Sequence, residues 1–93
     1  MKTIKFSNQS RQKIDTIYSK ILERFGKKSA DKFIKEVFSV VRHASVYSDL
    51  GRSYKNYRFL IVRKKTLIFY RHEKKIMYVV AVYESNENWV MNI

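Results

Sequence analysis

Residues 57–83 constrain the fold more than any other stretch of this chain. They hold three short apolar runs, 57–62, 66–70 and 76–83, rich in β-branched and aromatic residues and parted by charged connections. Runs this short and this close leave no room for crossover helices, so the spacing predicts an antiparallel meander. Alternation puts Tyr57, Phe59 and Ile61 on one face and Arg58, Leu60 and Val62 on the other. In the last run it puts Ile76, Tyr78, Val80 and Val82 opposite Met77, Val79, Ala81 and Tyr83. Both faces are apolar, so the sheet needs cover.

The first half of the chain supplies that cover. Residues 1–6 read as a first strand joining the later sheet, and Ser7 is placed to cap a helix. Ile14, Ile17, Tyr18, Ile21, Leu22 and Phe25 then fall on one stripe of that helix. Gly26 follows as the expected left-handed stop. Lys27 and Lys28 are expected to turn the chain and Ser29 to cap a second helix, with Asp31 near its positive end. Its stripe is Ala30, Phe33, Ile34, Val37, Phe38, Val41 and Ala44, widened by Val40. A connection of about three residues makes the two helices an antiparallel hairpin. Residues 45–56 lose all periodicity and read as a loop with a turn near Gly51, delivering Arg52 and Lys55 to the sheet. The expected fold class is α+β, a helical hairpin on one face of a small antiparallel sheet in the order β-α-α-β-β-β, with 1–93 as one domain. One hairpin covers one face. The surplus face is either a partner surface or is covered by the first strand and the tail around Trp89.

Composition narrows the chemistry. The chain has no cysteine, which removes disulfides, thiolate nucleophiles and Cys-ligated zinc, and two histidines are too few for a histidine-rich metal site. Neither a cofactor nor a metal is expected. No apolar run approaches the roughly 18 residues of a membrane span, and no secretory signal precedes the first strand, so no membrane partner and a cytoplasmic location are the default expectation. Twenty Lys and Arg against eight Asp and Glu leave a net charge of +12 on 93 residues, a field that attracts polyanions. The plain alternative is a merely solvated basic surface. Lys64-Lys65 and Lys74-Lys75 sit at opposite ends of the meander, which argues for a general positive field over one compact patch.

Arg58 is the basic residue set most deeply among apolar neighbours. It is a candidate phosphate clamp or an arginine laid along the sheet with its head paired. His72, beside Arg71, would titrate near neutral pH if it faced a site, and is otherwise an exposed turn residue. Tyr70 and Tyr83 are candidates for stacking or hydroxyl contacts, and equally for packing. No glycine-rich phosphate loop or nucleophile elbow is present, and no carboxylate pair is forced together.

Several stretches, in this order, resemble the RelE/ParE superfamily of bacterial type II toxins. They are Ile17-Tyr18-Ser19-Lys20-Ile21-Leu22-Glu23-Arg24-Phe25-Gly26, Ala30-Asp31-Lys32-Phe33, and Tyr57-Arg58-Phe59-Leu60-Ile61-Val62. Leu67-Ile68-Phe69-Tyr70-Arg71 and Val82-Tyr83-Glu84-Ser85-Asn86-Glu87-Asn88-Trp89 complete the set, which spans nearly the whole chain. The resemblance implies a toxin encoded beside an antitoxin that wraps and silences it. Within the superfamily, RelE-like members cut mRNA in the ribosome and ParE-like members are described as DNA gyrase inhibitors. Glu23-Arg24-Phe25-Gly26 followed by Ala30-Asp31-Lys32-Phe33 is similar to the ParE-like branch.

For a ribonuclease, the resemblance would make Lys55, Arg58, Arg71 and His72 the catalytic candidates. The end of the last strand departs from that pattern: Glu84, Ser85, Asn86 and Trp89 stand where ribonuclease members carry arginine or histidine with a tyrosine. Cleavage needs an acid for the leaving oxygen and positive charge for the phosphorane, so the departure favours a toxin that acts by binding. The competing readings are a ribosome-dependent mRNA endonuclease and a small basic nucleic-acid-binding domain. Arg58, Leu60, Val62, Tyr70, Tyr83 and Trp89 are the residues expected to meet the target or the antitoxin.

Overall fold

The computed structural model of the chain describes residues 2–87. Its elements run β1 (Thr3–Phe6), α1 (Asn8–Phe25), α2 (Lys27–Val46), β2 (Arg52–Tyr54), β3 (Tyr57–Val62), β4 (Thr66–Glu73) and β5 (Ile76–Glu84). The five strands form one sheet in the order β1-β5-β4-β3-β2. The meander β3-β4-β5 is antiparallel as its short connections require, whereas β1 joins the far edge parallel to β5, with Thr3 opposite Ile76. That parallel pairing is possible because the α1–α2 hairpin carries the chain away from β1 before the meander begins. The sheet is therefore mixed.

Ser7 caps α1, its hydroxyl accepting from the Ser10 amide at 3.1 Å, and the same hydroxyl donates to the Val80 carbonyl at 2.7 Å. β1 covers the edge of β5 only as far as Val79. Beyond it the Gln9 side chain takes over: its amide nitrogen donates to the Val82 carbonyl and its oxygen accepts from the Val82 amide, both at 2.8 Å. A side-chain amide thus continues the ladder for one residue and satisfies backbone groups that a bare edge would leave unpaired.

Gly26 joins the helices by itself. Its φ of 89° is one that L-residues avoid, and α2 begins at the next residue, so Ser29 lies inside the helix and does not cap it. The two helices are tied across by the Tyr18 hydroxyl, which donates to Asp31 at 2.8 Å. Ile14 and Ile17 of α1 and Phe33, Val37, Val41 and Ala44 of α2 pack on Leu60, Val62, Ile68, Tyr70, Met77, Val79 and Val82. The α1 stripe is buried only in its first half; Leu22 and Phe25 are 41% and 70% exposed.

Two further local features depart from expectation. Residues 52–54 form a strand, held by pairing with residues 57–59 across a turn in which Lys55 takes a φ of 54°. In addition, Phe69 faces Ala81 while Tyr70 faces Val79, so Val80 is an extra residue in β5. This bulge breaks the strict alternation, returning Val82 to the helix-facing core with Met77 and Val79 and leaving Ala81 and Tyr83 on the other face. At the centre of that second face Leu67, Phe69 and Ala81 are buried, with Tyr54, Phe59 and Tyr83 packed round Phe69. It is not an open apolar sheet.

Candidate functional site

Sheet register decides where the basic candidates go. Arg58 on β3 faces Tyr70 on β4, and the β2–β3 turn and the end of β4 lie at the same end of the sheet. Lys55, Arg58, Arg71 and His72 consequently line one cleft of about 370 Å³ together with Ser48, Ser53, Tyr57 and Tyr70. The four candidates that sequence reasoning singled out for phosphate chemistry do converge.

Several of the polar groups in this cleft are nonetheless engaged within the protein. The Arg58 guanidinium donates to the carbonyl of Gly51 at 2.7 Å and to that of Asp49 at 3.3 Å. The Gly51 amide donates to the Tyr70 hydroxyl at 3.0 Å. Two residues of the sheet thereby pin the loop between α2 and β2. Tyr70 is fully buried, and burial raises its pKa, opposed by the Gly51 bond and the nearby Arg58 charge and reinforced by Asp49, which keeps the phenol neutral. Arg71 is ion-paired with Glu73 and lies over the Tyr78 ring, 4.8 Å from its centroid. Lys55 sits 5.4 Å from the Tyr54 ring centroid.

His72 packs edge-on against Tyr70, ring centroids 5.4 Å apart. Both of its ring nitrogens are buried, and neither makes a well-formed hydrogen bond among the described residues, although the Ala44 backbone is near enough to act on the ring's charge. Burial lowers its pKa first; the charges of Lys2 and Arg58 lower it further, while the Ala44 backbone pulls the other way. The folded protein therefore keeps this imidazole neutral. Below the ordinary histidine pKa of about 6.5 the unfolded chain takes up a proton that the folded protein does not, so acid removes stability. Denaturant titrations from pH 7 downward are expected to show stability falling from about pH 6.5 until the depressed pKa is reached. A His72→Leu variant is expected to lack that part of the slope. An unchanged slope would mean that His72 titrates freely.

Other expected contact residues are placed elsewhere. Leu60 and Val62 are buried under the helices and reach no partner in this conformation, and the Tyr70 hydroxyl is spent on Gly51. Tyr83 lies on the opposite face against Phe69. Trp89 lies outside the described residues. Glu84 and Glu87 are engaged with Lys20 and Lys13.

A surface that the sequence did not single out lies at the other end of the sheet. Between the helical hairpin and the β3–β4 turn is a groove of about 480 Å³. Ile17, Ile21 and Phe33 form its apolar part, Phe25 stands at its edge, and Lys20, Arg24, Arg63 and Lys65 surround it with Glu84, which pairs with Lys20. The helical stripe revealed these apolar residues but not that Phe25 stays outside the core.

A family model described as "ParE toxin of type II toxin-antitoxin system, parDE" matches residues 4–89. No protein of curated function matches the chain. Among solved structures, the chain is similar to one described as the chromosomal ParDE TA system from P. aeruginosa, with a TM-score of 0.75 at 17% identity over 90% of this chain and 96% of that one. It is also similar to YafQ from E. coli strain BL21(DE3), with a TM-score of 0.55 at 14% identity over 90% and 93%. At these identities the structural likeness speaks for the fold, and the family match speaks for the kind of protein.

Proposed function

Since this chain belongs to the ParE toxin family of type II toxin–antitoxin systems, we propose that it arrests growth by binding a target such as DNA gyrase. A cognate antitoxin holds it inactive until then. The observation that supports binding over catalysis is the commitment of the cationic cleft. Arg58 and Tyr70 hold the loop at residues 49–51, and His72 is kept neutral away from solvent. A general acid must present a proton at a reacting atom, and a phosphate clamp must have free N–H groups. Here one Arg58 nitrogen and the Tyr70 hydroxyl already have protein partners, and both His72 nitrogens are buried.

The groove beside Phe25 is the proposed seat of the antitoxin. An apolar floor flanked by Arg24 and Lys65, with the Lys20–Glu84 and Arg63–Glu36 ion pairs at its rim, suits an amphipathic acidic segment that folds on contact. Such a segment would bury the aromatic ring that the hairpin leaves outside.

Induction of the chain without its antitoxin separates the possibilities within minutes. Arrested DNA supercoiling with translation intact is the expected result. Rapid loss of translation with cleaved mRNA would instead favour a RelE-like endonuclease, the second reading, which the convergence of Lys55, Arg58, Arg71 and His72 keeps in play.

A further inference from the structure

The two lysine-bearing turns of the meander do lie at opposite ends of the sheet, but β1 changes what this means. The Thr3 amide donates to the Lys75 carbonyl at 2.9 Å, which stands Lys2 beside the β4–β5 turn. There, Lys2, Lys74 and Lys75 line a cleft of about 490 Å³ with Thr3, Ser45 and Val46. The Arg58 cleft opens near the same turn, and His72, in its wall, feels the charges of both Lys2 and Arg58. No carboxylate lines either cleft among the described residues.

Part of the positive charge elsewhere is neutralised. Lys13, Lys20, Lys27 and Arg63 each face an acid, namely Glu87, Glu84, Asp31 and Glu36. Near the β4–β5 turn, Glu73 is taken by Arg71. A plain account would have the lysines simply complement the C-terminus of α2. A helix end carries only about half a negative charge, however, and three ammonium groups far exceed it.

We infer that this end of the sheet, at the cleft of Lys2, Lys74 and Lys75, binds the phosphodiester backbone of nucleic acid. Neighbouring groups decide between that ligand and an acidic protein. The cleft sets its three lysines beside the Thr3 hydroxyl, a group of the kind that holds phosphate and sugar, while the buried Ser45 hydroxyl is spent on the Arg42 carbonyl. Protein partners are anchored by buried apolar and aromatic side chains, and Val46 is the one aliphatic residue in the lysine cleft. Lysine ammonium groups act as point charges and read no base edge, so binding is independent of sequence. This inference does not depend on the target proposed above.

The test measures binding of the full chain to labelled duplex DNA, single-stranded DNA and single-stranded RNA across a salt series. Affinity for all three is expected, falling log-linearly with salt. On duplex DNA, a Lys2→Gln/Lys74→Gln/Lys75→Gln variant is expected to lose about 0.9 from the slope for each lysine that contacts a phosphate. A Lys28→Gln/Lys32→Gln/Lys35→Gln variant, matched in charge on α2, is expected to keep the slope. Equal losses in both variants would show only a general field and overturn the site, as would tighter binding of an acidic polypeptide than of DNA. The His72 ring proton gives a second reading. Phosphates seated beside Lys2 are expected to raise its pKa, and a titration unchanged by DNA would also overturn the site.

Discussion

Replacing Gly51 with alanine is expected to cost about 3 kcal/mol, combining overpacking of about 1–3 kcal/mol with loss of one hydrogen bond. For a chain of this size that is a fall of roughly 12–24 °C in Tm. A Cβ at Gly51 would lie 2.6 Å from the Phe59 carbonyl oxygen and 2.8 Å from the Tyr70 hydroxyl. The first of these is backbone in the middle of β3 and has nowhere to go. The clash also forces apart the Gly51 amide and Tyr70, and with them the Arg58 contact that holds the loop. Gly26→Ala is the useful comparison. Its Cβ would meet nothing within 4 Å, so only its φ of 89° resists substitution, and the expected loss is about 1 kcal/mol. Thermal melts of the two variants separate close approach from backbone strain. Equal melting temperatures would mean that the loop slides off Arg58 and Tyr70 at little cost, and the cleft would then be free to take a phosphate.

Changing Phe25 to alanine is expected to do the reverse, leaving the fold intact and weakening the partner complex. The ring is 70% exposed, so stability should stay within about 0.5 kcal/mol of the parent. An aromatic side chain that becomes buried as an anchor in an interface contributes about 2 kcal/mol or more, so the antitoxin should bind roughly 30-fold more weakly. Titration calorimetry with the purified antitoxin reads this directly. A second variant, Arg24→Glu, tests the charged rim of the same groove and should slow association while making it less sensitive to salt. Unchanged affinity in both variants would move the antitoxin away from the hairpin.

Both results turn on whether a side chain is in the core or outside it, and periodicity gives only part of that answer. Ile14 and Phe25 belong to one helical stripe, yet the first is buried and the second is not, because the sheet ends before the helix does. Arg58 was legible as a guanidinium among apolar neighbours. Its work in holding the Gly51 carbonyl was not, since the loop that it pins is brought back by the β2–β3 hairpin. β2 itself is three residues long and exists only through that pairing, and its turn lacks the Asn-Gly or Asp-Gly signal that marks a hairpin. The bulge at Val80 left no trace in composition, although it decides which face Val82 and Tyr83 occupy.

The amino-acid sequence by itself determined the elements that depend on local periodicity and local bonds. These are the two helical stripes, the Ser7 cap, the break at Gly26 and the antiparallel meander, because each is specified by residues within a few positions of one another. It also determined the excess of positive charge and the lack of any cysteine chemistry. Only the tertiary structure decided where that charge collects. Lys2 meets Lys74 and Lys75 through a parallel pairing of strands more than seventy positions apart, and Lys55, Arg58, Arg71 and His72 meet through sheet register. Contacts at such separation are set by which faces the whole chain must bury together, and no local pattern carries that information.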